Sequence, residues 1–545
     1  MAYTIPGVKP LEKRVFGRTV VTKVTAVPIF IGYTQRQQSF KQSDLLKNGG
    51  FSAQSEPQSK VSTRGKDAGT ATSLSSQTAV TATLEEVKKV EEKTPKTKST
   101  KSKAKQVDTH IFEENEIVVQ KIDTLKEYFH QFGGGDYTWE EKKEFYLYES
   151  IKLFYANGGS TCYVVSVGTY KNEKVDIEDL EKGLDKIFEI AHANLVLIPD
   201  AVSLEDKGRG KLYNELLLSC SPDNKHKVFI NQFAILDAKK GGQKYSDESE
   251  TLRNIVEGDH LVHGAMYHPW LHTDVISRTD IEMSLLDGDV SYIEQEFNLS
   301  ENGWADYKSK STKSKANYLR RAKREKWESF INETIRKNSL LPPSGAVAGA
   351  IVRNDERFGI QKAPANINLR GVVELNAVIN DTNQGQFNAP EESGKSINCI
   401  RSFVNNDIKI WGARTLDYRG LDYRYINTRR TMSMLQDSIK NLLEQFVFEN
   451  NDTRTWLKIR ASLSKFLKGM LSRGVLFGTT PSQAYDFAVG FGETMDETDI
   501  LEGIIRVEVK LALIRPAEFI EIIFEQKTME GDVSEGAEGN SESTE

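Results

Sequence analysis

The sequence predicts a mixed α/β protein built from several domains, and three observations predict it. The chain has 545 residues, which at about 150 residues per domain gives three or four units. Between residues 111 and 240, short apolar runs alternate with segments of helical periodicity, the pattern of a mostly parallel or mixed sheet. Two stretches, 41–107 and the acidic end after Gln526, hold too few apolar residues to join any core.

The elements follow in order. Residues 1–35 read as an arm without a core of its own, β-prone over Arg14–Thr25, leading into a buried strand at Ala26–Gly32; Pro6 and Pro10 keep its start out of a helix. Residues 36–107 form a low-complexity insertion ending in the basic run KTPKTKSTKSKAK. Such a segment cannot offset its ordering entropy and is expected to be disordered. An α/β middle domain is expected over 108–273. In it, Val118, Ile122, Leu125 and Phe129 recur at helical spacing before Phe132-Gly133-Gly134-Gly135. Further helices are expected at Glu144–Ala156, Ile177–Ala193 and Lys211–Ser219, and strands at Cys162–Val167, Leu195–Ile198 and Lys227–Ala234.

Residues 274–340 read as a charged helical insertion, basic from Lys308 to Lys326, with Trp327, Ile331 and Ile335 on one helix face. A solvated basic side is one reading of it, binding of an acidic partner protein the other. A C-terminal core domain is expected over 341–516. It holds a helix near Arg430–Phe448 and a second near Thr453–Arg473, capped by Asn451 or Asp452 and stopped by Gly474. A half-wet strand over Ile505–Leu513 follows, then an arm strand over 517–526 and a disordered acidic tail over 527–545. In the arm strand Ile520, Ile522 and Phe524 face one way and Phe519 and Ile523 the other, so it is apolar on both sides.

Lys+Arg is 72 against 78 Asp+Glu, a net charge of −6, which gives no general reason to expect a polyanion partner. Three cysteines without a CxxC pair suit a reducing cytoplasm. No export signal or run of about 20 apolar residues is visible, so no direct membrane insertion is expected.

No catalytic, metal or cofactor site is expected. Ser393-Gly394-Lys395-Ser396 resembles the end of a P-loop, but Ala389 stands where the first glycine is needed. His268 and His272 sit in the aromatic context MYHPWL, interrupted by Pro269, and read as packed side chains rather than zinc ligands. Cys162 and Cys399 lie in apolar contexts and suit buried positions.

A series of short motifs runs in order along the chain. It opens with Thr4-Ile5-Pro6-Gly7-Val8 and Ala26–Gly32. It continues with Phe132-Gly133-Gly134, Asn157–Val165 and His268-Pro269-Trp270-Leu271, then Pro342–Gly349, Lys362–Asn366 and Leu369-Arg370-Gly371. It closes with Ile397–Phe403, Trp411–Leu416, Tyr425–Arg430 and Arg515–Ile520. This series resembles the contractile tail sheath family of phages, pyocin-like particles and extracellular contractile injection systems. The resemblance implies a subunit that polymerises, as hexameric rings or a six-start helix, around an inner tube. The polymer contracts from a metastable extended state without nucleotide hydrolysis, in contact with baseplate and cap proteins and possible sheath paralogues. It implies assembly in a bacterial cytoplasm, with release by lysis or anchoring through a baseplate.

It also implies terminal arms that add strands to neighbouring subunits. Here these would be Arg14, Val15, Phe16, Val20, Val21 and Val24 at one end, and Phe519, Ile520, Ile522, Ile523 and Phe524 at the other. Pairing of both segments within their own chain is the alternative. Arg401, Arg414, Arg429 and Arg430 are candidates for ion pairs between subunits or with the tube, with intramolecular pairing as the alternative. The inner, mesh-forming domain is expected from residues 1–35 and 341–526, with the middle domain and both insertions outward. Competing functions are a sheath paralogue at the baseplate or cap, a P-loop enzyme at Ser393–Ser396, or a nucleic-acid binder using the basic tracts at 93–105 and 308–326.

Overall fold

The computed structural model describes residues 26–36, 117–137, 143–172, 174–190, 192–226, 231–240, 253–287, 312–388, 395–404 and 407–519. The expected N-terminal arm, from Arg14 through Val24, lies outside them. So do the insertion after residue 36, Ile520, Ile522, Ile523, Phe524 and the acidic tail.

A nine-stranded sheet organises the fold. Its strands are β1 (Pro28–Thr34), β2 (Val118–Ile122), β3 (Cys162–Thr169), β4 (Leu195–Leu197), β5 (Phe233–Asp237), β6 (Gly264–His268), β9 (Ile367–Asn368), β11 (Asn398–Ser402) and β12 (Ile408–Ile410), in the order β2-β3-β1-β4-β5-β6-β11-β12-β9. The six from β3 to β11 run parallel, while β2, β12 and β9 are antiparallel at the two sides. Parallel strands covered on both faces should be apolar without alternation. PIFIGYT, LVL and GAMYH are accordingly buried throughout. Period two still sorts their side chains between two cores. Phe30, Leu195, Leu197, Phe233, Ile235, Ala265 and Tyr267 join one; Ile29, Ile31, Val196, Ala234, Leu236 and Met266 join the other.

Helices α1 (Leu125–Phe132), α2 (Leu147–Ala156), α3 (Ile177–Asp185) and α4 (Asp206–Ser219) connect the first strands. The expected helix over 118–129 is only half there. Val118–Ile122 is β2, paired antiparallel with β3, and the helix starts after Thr124, whose hydroxyl accepts from the Glu127 N–H. Val118 and Ile122 satisfy i, i+4 by coincidence; they are also the buried ends of a strand whose middle residues are partly or fully exposed. The expected helix to Ala193 ends at Asp185 and gives way to a tight turn over Lys186–Glu189. The strand expected at 227–234 is β5, shifted to 233–237, with 227–230 outside the described residues.

The charged insertion contains α5 (Arg278–Asp287), α6 (Thr312–Ala322) and α7 (Arg324–Asn338). Trp327 and Ile331 are buried as the stripe predicts, and with Leu319 and Ile281 they extend the first main core. A small sheet, β10-β7-β8, from β7 (Leu271–Thr273), β8 (Leu340–Leu341) and β10 (Val372–Leu375), leads to α8 (Ser344–Phe358). Helix α8 carries the sequence SGAVAGA and packs on α2. A Cβ at Gly345 would collide with the Ser150 carbonyl and one at Gly349 with that of Phe154, so these glycines allow the backbones to meet.

Residue 341 therefore does not open a separate core. Ile400, Ile408 and Ile410 share a cluster with Phe30, and β11 pairs with β6 across the expected boundary. Strand β1 sits between β3 and β4, not with the C-terminal segment. The reason is burial: PIFIGYT needs cover on both faces and strands on both sides, which only the middle of the parallel sheet supplies.

After a short α9 (Asp381–Asn388), a third core begins with α10 (Ile426–Glu444) and α11 (Thr453–Ser472). Asp452 caps α11 by accepting from the Thr455 N–H, and Gly474 beyond its end takes φ 66°. Ile459, Leu463, Leu467 and Met470 form the buried stripe. Helix α10 and the two-stranded sheet of β13 (Tyr485–Ala488) and β14 (Glu508–Leu511) complete this C-terminal lobe.

Candidate functional site: the root of the C-terminal arm

Beyond β14 the chain runs without regular structure from Ala512 to Phe519, apart from a bridge between Leu513 and Leu476. It crosses the N-terminus of α10, where the Asn427 amide and the Thr428 hydroxyl donate to the Ile514 carbonyl at 3.2 and 3.4 Å. Arg515 lies 3.6 Å from Asp422. Glu518 then turns back into the body.

The Glu518 carboxylate has three partners. Arg414 donates from Nε to both oxygens at 3.0 Å and from Nη2 to Oε2 at 2.7 Å. The Asn388 amide donates to Oε1 and the Tyr425 hydroxyl to Oε2, both at 2.9 Å. A fork against a carboxylate fixes direction as well as distance. The Arg414 side chain is 2% exposed and that of Glu518 21%. Burial alone would raise the Glu518 carboxyl; the hydrogen bonds and charge of Arg414, with Asn388 and Tyr425, hold it below the ordinary range instead. Burial and the Glu518 carboxylate push Tyr425 up.

Arg414 is itself held by backbone. Its N–H donates to the Asn398 side-chain oxygen at 2.8 Å, and the Asn398 amide donates back to the Arg414 carbonyl at 2.8 Å. Asn398 belongs to β11, and Arg414 also bridges to Tyr425. Glu518, one residue before the end of the described stretch, is thus tied to the main sheet. One residue later Phe519 is 74% exposed.

The sheet β13–β14 is the complementary feature. Beyond the Leu476–Leu513 bridge, no other described strand joins it. Tyr485, Phe487 and Val507 lean partly buried on the lobe core. A two-stranded sheet with unpaired edges offers backbone donors and acceptors to an incoming strand.

The four arginines singled out from sequence find partners within their own chain. Arg430 forms a buried pair with Asp355 at 2.7 Å. Arg429 donates to Ser433 and Gln436 at 2.9 and 3.1 Å and covers the Tyr423 ring. Arg401 reaches exposed Asp381 and Gln384 at 2.7 Å and lies over Phe403. Arg414 meets the arm root through Glu518. Glu518 was not among the expected site residues, although it and Arg414 both fall in the quoted motifs.

The residues weighed for chemistry are occupied otherwise. His268 stacks on Phe387 at 5.1 Å, and burial pushes its pKa down to about 4. Lys395 donates to the Arg253 carbonyl at 2.9 Å, and Ser396 is buried and bonded to the Asn388 carbonyl. Cys162, Cys220 and Cys399 are free and buried, with thiol pKa values pushed up by burial. No cluster of potential metal ligands and no helix long and apolar enough to cross a membrane occurs among the described residues.

Residues 420–527 match the family model of the phage tail sheath C-terminal domain. That span contains the C-terminal lobe and the arm root up to Gln526. A tail sheath protein of Salmonella phage ViI is 25% identical over 158 residues, 28% of this chain; the match spans 24% of that relative's length. The sheath of an extracellular contractile injection system, PVC, in its contracted state has the same fold at TM-score 0.55 and 22% identity, over 97% of this chain and 99% of that one. A chain of the anti-feeding prophage baseplate matches at TM-score 0.55 and 20% identity, over 97% and 100%. The resemblance to the contractile tail sheath family is carried by sequence at residues 420–527 and by fold over nearly the whole chain.

Proposed function

We propose that this chain is a structural subunit of a contractile sheath, which polymerises around an inner tube and shortens from a metastable extended state to drive the tube through a target envelope. The observation that carries the reading is the arm root: a clamp at Glu518 stands one residue before the exposed Phe519, where a sequence apolar on both faces begins, while β13–β14 is a sheet of two strands. Strand addition between copies supplies links that survive movement, because backbone hydrogen bonds travel with the docked strand. The N-terminal arm makes the second link. The C-terminal lobe with both arms forms the mesh around the tube, and the insertions at 36–107 and 274–340 face outward. Work comes from the difference between two packings, and about a few kcal/mol per subunit adds up over many copies. No nucleotide or metal enters the mechanism.

Truncation after Glu518 tests this. The expected product is a folded, soluble subunit that forms no sheath in negative-stain micrographs; normal tube-bound polymer from the truncated chain overturns the reading. A sheath paralogue seated at the baseplate is a second reading, favoured by the likeness to the anti-feeding prophage baseplate chain. Copy number per particle separates the two.

A further inference from the structure

The arm root leans on a loop as well as on the main sheet. Two short runs, Ala413–Leu416 and Tyr423–Ile426, lie side by side: the Thr415 N–H donates to the Arg424 carbonyl at 2.8 Å, and the Ile426 N–H to the Ala413 carbonyl at 2.9 Å. The Asp417 carboxylate turns the loop between them, accepting from the Arg419 and Gly420 N–H groups, both at 3.0 Å. One run therefore carries Arg414 and the other Arg424, and Tyr418 stands in the loop that joins them.

The Tyr418 ring takes both cations. The guanidinium carbon of Arg414 lies 5.5 Å from the ring centroid and that of Arg424 5.1 Å, within the range at which a ring face attracts a cation. The edge of Arg414 is already occupied: Nε and Nη2 hold Glu518, and Nη1 donates to the Asn388 carbonyl at 3.0 Å. Bonds along one edge leave a planar fork free to rock about that edge. A ring against its face sets the plane in which the fork meets the carboxylate. Arg424 lacks such edge contacts. Its Nε is buried without a hydrogen-bond partner, and no acid pairs with it among the described residues. The same ring thus keeps a second guanidinium in place whose charge no neighbouring acid neutralises, and a seat with excess positive charge favours a carboxylate over a neutral side chain at position 518.

We infer that Tyr418 is a positioning residue of the arm root: its ring holds the Arg414 guanidinium in the plane that grips Glu518 and anchors Arg424 as the second cation of the seat. This deepens the strand-addition reading, on which its meaning for the polymer rests. The arm root meets the same loop a second time, where Arg515 lies 3.6 Å from Asp422. One loop therefore bears on the departing chain at two points three residues apart.

The test replaces Tyr418, in the full-length unassembled subunit, by phenylalanine and then by mono-, di- and trifluorinated phenylalanine. Ring fluorines weaken the attraction for cations step by step at nearly constant shape, so the fold is kept throughout. The readout is hydrogen exchange over Ala512–Phe519. Tyr418→Phe should match the parent, and exchange should rise with each fluorine, by about tenfold across the series for a desolvated cation–π contact. With Glu518→Gln in place the root is already released, and the dependence on fluorine should vanish, because the ring acts through the Arg414 fork. A series that stays flat overturns the inference, since a ring that only fills space does not respond to its fluorines. A series that keeps its slope beside Glu518→Gln overturns it as well. The same variants are then assembled and viewed by negative stain. A rising series from subunits that still form normal sheath upholds the positioning role and removes the strand-addition reading instead.

Discussion

Two of the sheets in this molecule teach opposite lessons about edges. In the nine-stranded sheet the central strands are buried on both faces, and its ends are finished by the antiparallel strands β2 and β9. In the lobe, β13 and β14 form a sheet of two, too small for independent stability. It leans on α10 and α11 and keeps its edges available. The body's sheet hides its backbone, whereas the lobe's sheet of two leaves its outer edges unpaired among the described residues, as the proposed strand addition requires.

Several measurements sharpen or break that contrast. The largest effect is expected in the body. Phe154 is fully buried, edge-on to Phe30 at 5.4 Å. Phe154→Ala should cost about 3–5 kcal/mol, read by chemical denaturation, and a loss within error would show that the body is not the rigid element. Next is the clamp. Arg414→Met leaves Glu518 partly buried without its cation and should free the arm root, at a cost of about 2–4 kcal/mol to local closure. Hydrogen exchange at Ala517–Phe519 should accelerate while β4 and β5 stay protected; uniform acceleration would make Arg414 a residue of the body rather than of the arm. The smallest effect is Asp452→Ala, which removes the α11 cap at about 1 kcal/mol and should lower the lobe's melting midpoint without touching the body.

Acid separates the regions by sign. Asp200 caps the start of α2, accepting from the Tyr146 and Leu147 N–H groups and from that of Tyr33. Asp237 accepts from the Ser344 N–H at the start of α8. Burial holds both up to about 7. Their stabilising contribution is fully present below the ordinary carboxylate pKa and is lost as pH rises through about 7. Glu518 is depressed, so its contribution is present above the ordinary value and is lost as pH falls through the folded one. Lowering pH from 7 should therefore strengthen the body first and release the arm root only below the usual carboxylate range. Exchange rates of the two segments across pH check this, and parallel responses would contradict it.

Much of this was legible because it is local. The α11 stripe, its Asp452 cap and Gly474 stop lie within one window of sequence, as does the unbroken apolar run of β1. The β2 strand was misread because Val118 and Ile122 fit two periods at once. Where β1 sits was hidden, since a run buried on both faces states its need for neighbours but not which ones. The Arg414–Glu518 pair spans 104 positions; each half falls in a quoted motif, yet nothing in spacing or composition couples them.

The interlock of Asn398 with the Arg414 backbone has a mechanical consequence. Asn398 also donates to the Met266 carbonyl on β6 at 3.4 Å. Tension applied at residue 519 passes through the carboxylate fork into β11, and from there across the parallel ladder to β6. The load is shared by several transverse bonds at once instead of peeling the terminus away one bond at a time.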